Sequence, residues 1–177
     1  LSKKADWIAL SFVRSPKDYD VLRSKIKKAG YNTPLIAKIE KWEAVHNLDQ
    51  IIDKFEAIMV ARGDLGVEIP MAKVPFIQKT IIEKSNRKGK PVIIATQILD
   101  SMIKRPVPTR AEISDIANAI IDGVDSLMVT GETAVGQYPN KVITVLKGAI
   151  KETESTISNN KFFQHANKKT NTAEAIS

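Results

Sequence analysis

The sequence predicts an α/β fold built on a parallel sheet, on three observations. Five short, β-branched apolar runs recur along the 177 residues, helical patterns fill the gaps between them, and none of the runs alternates strictly between apolar and polar residues. Runs without alternation mark strands covered on both faces, as in parallel sheets whose crossovers are helices. Strands and helices taking turns in this way imply right-handed βαβ crossovers.

The first run, Trp7 to Phe12, predicts a strand. Ser15-Pro16-Lys17-Asp18 then supplies an N-cap, a proline at the first helical position and an acid three residues after the cap, and Gly30 closes that helix. Leu35 to Ile39 predicts the second strand and Trp42 to Phe55 the next helix; Ala57 to Ala61 is the third strand. A helix over Val74 to Asn86, with Gly89 beyond it, leads into a fourth strand at Pro91 to Ala95. Thr109-Arg110-Ala111-Glu112 is a capping box, followed by Ile113, Ile116, Ala117, Ile120 and Ile121 at helical spacing and by Gly123 as a stop. Ser126 to Val129 is the fifth strand, and Pro139 to about Ile157 the last helix. From Asn159 the chain turns polar and loses its period, which predicts one domain over residues 1–158 and a tail or truncated linker over 159–177. Two architectures satisfy this order: an open doubly wound sheet, and part of a (β/α)8 barrel, which needs eight strands and about 250 residues to close.

Composition narrows the function classes. With 27 Lys plus Arg against 20 Asp plus Glu the net charge is +7. The basic residues fall at helix ends and loops without aromatic interleaving, the pattern of solvated cations that complement helix dipoles, so no nucleic-acid partner is expected. There is no Cys and the two His, His46 and His165, stand far apart, so any metal must sit on oxygen. No apolar run approaches the roughly 18 residues of a membrane span, and the start does not read as a signal peptide. A soluble, membrane-free protein is expected, and because Leu1 is no initiator, one processed, cut or taken from a longer chain. Neither a G-x-x-x-x-G-K-[ST] loop nor a G-x-G-x-x-G fingerprint is present.

Each predicted strand passes into polar residues at its C-terminal end: Ser11 and Arg14, Lys38 and Glu40, Arg62 and Asp64, Thr96 and Gln97, Thr130 and Glu132. In parallel α/β folds these ends share the face that carries ligand sites. Lys38 is the sharpest signal, an ammonium within an apolar strand that needs an anionic partner. Glu40, two residues on, points to the same face, which leaves two readings open: a structural Lys38–Glu40 pair, or a pair facing a bound phosphate and cation. Glu40 and Asp64, from neighbouring strands, suit a hard cation such as Mg²⁺ or Mn²⁺. Gly63 and Gly66 are expected to let the backbone turn sharply and present N–H groups to an anion.

Five segments carry a resemblance to a known family: Leu-Ile-Ala-Lys-Ile-Glu-Lys-Trp-Glu-Ala, Ile-Met-Val-Ala-Arg-Gly-Asp-Leu-Gly-Val-Glu-Ile-Pro, Gly-Lys-Pro-Val-Ile-Ile-Ala-Thr-Gln-Ile-Leu-Asp-Ser-Met-Ile, Arg-Pro-Val-Pro-Thr-Arg-Ala-Glu and Gly-Glu-Thr-Ala-Val-Gly-Gln-Tyr-Pro. Together, collinear from about Asp6 to Ile157, they closely resemble pyruvate kinase. The resemblance implies the last five βα units of an incomplete (β/α)8 TIM-type barrel, and transfer of the phosphoryl group of phosphoenolpyruvate to ADP. By matching motif position it implies Glu40 and Asp64 as ligands of Mg²⁺ or Mn²⁺, Lys38 as the cation neutralising the phosphoryl group in flight, and Gly63, Asp64 and Thr96 around the substrate carboxylate. It places Thr96 on the path that protonates the enolate, and Ser11, Arg62, Thr130 and Glu132 as support on the site face. Thr130 stands where the family has Ser and keeps a hydroxyl. The resemblance further implies a K⁺ whose ligands lie mostly outside this chain, a homo-oligomer (a tetramer in the family) with Arg110 near a subunit contact, and a cytoplasmic location, or a plastid one. With the first barrel strands and the lid domain not in this chain, weak turnover or none is expected from it alone. A barrel lyase or aldolase acting on phosphoenolpyruvate or pyruvate, and a non-catalytic assembly partner, are the alternatives.

Overall fold

The computed structural model describes residues 5–159. Five parallel strands alternate with helices, the repeat of an α/β barrel, and five are too few to close one of eight strands. The chain divides into two compact units, with the boundary between Ile93 and Ile94 inside the fourth strand. The predicted tail lies outside the described residues, except for Asn159, which ends the last helix.

In the first unit β1 (Ile8–Leu10), β2 (Leu35–Ile39) and β3 (Ala57–Ala61) lie side by side in sequence order. Ile8 aligns with Leu35 and Ile36 with Ala57, and the Ile58 N–H reaches the Pro91 carbonyl at 2.9 Å, where β4 (Val92–Ala95) begins. Leu35, Ala37, Ile39, Ala57, Ile58 and Val60 are all no more than 2% exposed, which is why neither strand shows alternation. Helices α1 (Pro16–Lys28), α3 (Leu48–Lys54) and α5 (Val74–Arg87) each bury isoleucines, Ile26, Ile51 with Ile52, and Ile81 with Ile82. Each such side chain contributes about 1.5–3 kcal/mol. The α1 start is as predicted: the Asp18 carboxylate accepts the backbone N–H groups of Arg14 (2.8 Å) and Ser15 (2.9 Å).

The helix expected over Trp42 to Phe55 is two helices, α2 (Trp42–His46) and α3, parted at Asn47. The Asn47 side-chain amide donates to the Arg14 carbonyl at 2.9 Å, so the break ties this segment to the loop after β1. At the other end of the strands the buried Arg23 guanidinium reaches Glu56 Oε1 (2.9 Å), Glu56 Oε2 (3.0 Å) and the Thr33 carbonyl (2.8 Å), while the Leu35 N–H and the Tyr19 hydroxyl also donate to Glu56. Burial pushes the Glu56 carboxyl up, but the Leu35 N–H, the Tyr19 hydroxyl and the Arg23 charge outweigh it and hold it below the usual glutamate value.

The second unit runs from the end of β4 through a 3₁₀ turn (Asp100–Ile103), α6 (Arg110–Ile121), β5 (Ser126–Met128), α7 (Gly131–Ala134) and α8 (Pro139–Asn159). The capping box at α6 forms as predicted: Glu112 N–H donates to Thr109 Oγ1 (3.2 Å) and Thr109 N–H to Glu112 Oε2 (2.7 Å). The same carboxylate also receives the N–H and hydroxyl of Ser101, which fastens the loop after β4 to the helix. Helices α6 and α8 pack together and bury Ile116, Ala119, Val142 and Leu146.

Candidate functional site

In the first unit the ends of β1 and β2 bring three predicted residues together. Lys38 Nζ lies 2.6 Å from Glu40 Oε1 and donates to Ser11 Oγ at 2.9 Å. The pair expected from spacing is therefore present. Glu40 is fully buried; its Oε2 accepts the Phe12 N–H at 2.8 Å, while Oε1 receives no hydrogen bond and has the Lys38 ammonium as its ionic neighbour. A buried carboxylate with one oxygen committed to backbone and one facing a cation is poised to exchange or share that cation.

Phe12 was not legible as a site residue, yet it aims the donor. Its φ is +56°, a left-handed conformation that a bulky residue adopts only when its surroundings hold it. Lys41 Nζ stands 5.6 Å above the Phe12 ring and pairs with Glu68. The sequence gives no sign of this, because an aromatic residue after a strand is ordinary.

Gly63 and Gly66 do not make the sharp turn expected of them; Arg62, Gly63 and Asp64 follow β3 directly. They open a short helix, α4 (Arg62–Glu68), with Asp64 exposed in its first turn. Leu65 and Ile69, four residues apart and both buried, anchor that stretch as a helix. Gly66 serves close packing: a Cβ there would stand 3.3 Å from Met71 Sδ.

In the second unit β4 ends in a strained turn, with Thr96 at φ +68° and Gln97 at +54°. The Thr96 hydroxyl donates to the Ala95 carbonyl at 2.6 Å. Glu132, 2% exposed, accepts the N–H groups of Ile98 (3.2 Å) and Leu99 (3.0 Å) on Oε1 and that of Thr130 (3.0 Å) on Oε2. Thr130 itself is exposed and engages this carboxylate through its backbone.

For a divalent cation the donor chemistry fits. The side chains in question are carboxylates, and Glu40 Oε1 is an anionic atom without a hydrogen-bond donor. Among the described residues no three His, Asp or Glu gather in one place, so the protein would offer at most two carboxylates, as Mg²⁺ sites completed by substrate oxygens do.

Parallel strands alternating with helices, with a lysine paired to a buried carboxylate at one strand end, are the repeat of an α/β barrel protein. Comparison with known proteins narrows this. The family model described as "Pyruvate kinase, barrel domain" matches residues 1–143. "Pyruvate kinase 2" of Synechocystis is 51% identical over 146 residues, 82% of this chain and 25% of that protein. The pyruvate kinase of Clostridium acetobutylicum is 48% identical over 178 residues, covering 99% of this chain and 38% of its own length. That of Thermotoga maritima is 53% identical over 152 residues, 86% of this chain and 33% of its own length. The chain belongs to the pyruvate kinase family, and it spans between a quarter and two fifths of the length of these relatives. Among the described residues, no helix is long and apolar enough to cross a membrane.

Proposed function

We propose that the chain supplies part of a site that moves the phosphoryl group of phosphoenolpyruvate from its enol oxygen to a terminal phosphate oxygen of ADP, giving ATP and, after protonation of the enolate carbon, pyruvate. The observation that carries this reading is the buried Glu40 carboxylate held between the Lys38 ammonium at 2.6 Å and the Phe12 N–H at 2.8 Å. Phosphoryl transfer is governed by positioning and by cations set where charge develops, which is what such a group provides. Lys38 would neutralise the phosphoryl group in flight, with Ser11 Oγ steadying its ammonium. Glu40 and Asp64 would hold Mg²⁺ or Mn²⁺, which when bound withdraws charge from substrate oxygens. The backbone of Gly63 and Asp64 and the Thr96 hydroxyl would hold the substrate carboxylate, Thr96 also lying on the enolate's protonation path. Arg62, Thr130 and Glu132 would support that face.

The wider reading takes residues 1–158 as one partial barrel domain and includes a K⁺ held mostly by residues outside this chain. It also includes a homo-oligomer and a cytoplasmic location, the last supported by the bacterial sources of the relatives.

Electron paramagnetic resonance of Mn²⁺ with the 177-residue chain tests the site. Binding should tighten with phosphoenolpyruvate and weaken at least tenfold in Glu40→Gln and in Asp64→Asn. Absence of Mn²⁺ binding by the unaltered chain, or indifference to both substitutions, overturns the assignment.

A further inference from the structure

We propose that Glu132 is a positioning residue: its carboxylate holds the Thr96–Gln97 turn in its left-handed conformation and so fixes where the Thr96 hydroxyl stands. The value of that placement rests on the reading of Thr96 as a substrate contact; the clamp itself does not.

Three observations carry it. Glu132 is buried and both its oxygens are engaged by backbone N–H groups, two on Oε1 and one on Oε2. A carboxylate so occupied acts as a strut. Secondly, two consecutive non-glycine residues, one of them β-branched, stand at φ +68° and +54°, which persists only where neighbours over-determine the backbone. Ile98 and Leu99, whose N–H groups Glu132 takes, follow that pair directly, so the carboxylate pins its downstream end. The upstream end is part of β4.

Thirdly, the first unit repeats the device. Phe12 follows β1 at φ +56° and gives its N–H to Glu40, which follows β2. In both places a buried glutamate just beyond one strand secures a left-handed turn just beyond the preceding strand. The two differ at the remaining oxygen: Glu40 Oε1 faces an ammonium, whereas neither oxygen of Glu132 is left over. Their similar sequence positions conceal this division, one carboxylate serving charge and shape, the other shape alone.

Glu132→Gln, which keeps the volume but sets an NH₂ against backbone donors, is measured in the 177-residue chain by amide hydrogen exchange and by denaturant stability, alone and combined with Gln97→Gly. Exchange at Ile98, Leu99 and Thr130 should quicken about tenfold or more while β2 amides keep their rates. Because glycine meets positive φ without strain, and the turn relaxes once its clamp is lost, Gln97→Gly should raise the folding equilibrium constant about fivefold less in the Glu132→Gln background than in the unaltered one. Additive substitutions or unchanged exchange overturn the clamp. If Glu132→Gln does not fold, the milder Glu132→Asp takes its place, and there quickened exchange at Ile98, Leu99 and Thr130 supports the clamp while unchanged exchange overturns it. Thr96→Val in the Mn²⁺ and phosphoenolpyruvate titration addresses the substrate contact separately, so either conclusion can fail without the other.

Discussion

Glu56 and Arg23 sit at the N-terminal ends of β2 and β3, opposite the end that carries Glu40, and they make a claim about pH. The Glu56 carboxyl is held below its ordinary value of 4.5, so its contribution to stability is fully present above about pH 4.5 and is lost as pH falls through the lower, folded-state value. Glu112, whose burial penalty is outweighed by the Ser101 and Thr109 donors, has the same sign. Denaturant titrations at pH 7 and pH 3 should show part of this loss absent in Glu56→Gln. Arg23→Met should cost about 2 kcal/mol at pH 7, since it strands a charge-assisted network that water only partly screens. None of this was legible in the sequence, where Arg23 reads as one more polar residue on an amphipathic helix and Glu56 as a loop acid.

Among the elements, strands were legible nearly to the residue, because β-branched runs bounded by polar groups leave little choice of register; β2 and β3 match their predicted limits. Helices with two chemical signals, a cap and a stop, were equally clear at α1 and α6. The short helices were not: α4 and α7, of seven and four residues, are fixed by single buried anchors, Leu65 in α4 and Glu132 in α7, which periodicity cannot register. Glycine illustrates the gap between the two levels. A Cβ on Gly136 would lie 2.1 Å from the Glu132 carbonyl oxygen, so Gly136→Ala must displace the α7 backbone and should destabilise by about 3 kcal/mol. Gly66→Ala meets the pliant Met71 side chain at 3.3 Å and Val74 at an ordinary 3.9 Å and should cost under about 1 kcal/mol; equilibrium unfolding of the two variants separates these cases.

For the whole molecule, the candidate site was legible as a set of residue types at strand ends, and Lys38 with Glu40 was found as a pair. What remained hidden was backbone: the positive φ of Phe12, Thr96 and Gln97, and the carboxylates that hold those turns, have no residue-level signature. The chain spans only between a quarter and two fifths of the length of its relatives. A coupled assay should accordingly find ATP formation by the 177-residue chain at background, with Mn²⁺ binding retained; turnover above background would show that the strand ends described here suffice.

The two glutamate clamps also bear on how such a protein can be recombined. Phe12 leans on the strand after its own, and so do Thr96 and Gln97. A graft that moved β4 with its loop into another barrel would leave the carboxylate behind, and the turn would relax to an ordinary conformation with its hydroxyl displaced. The smallest portable piece of this sequence is therefore a pair of neighbouring βα units, and crossovers that respect that pairing should preserve the strand-end geometry where single-unit exchanges lose it.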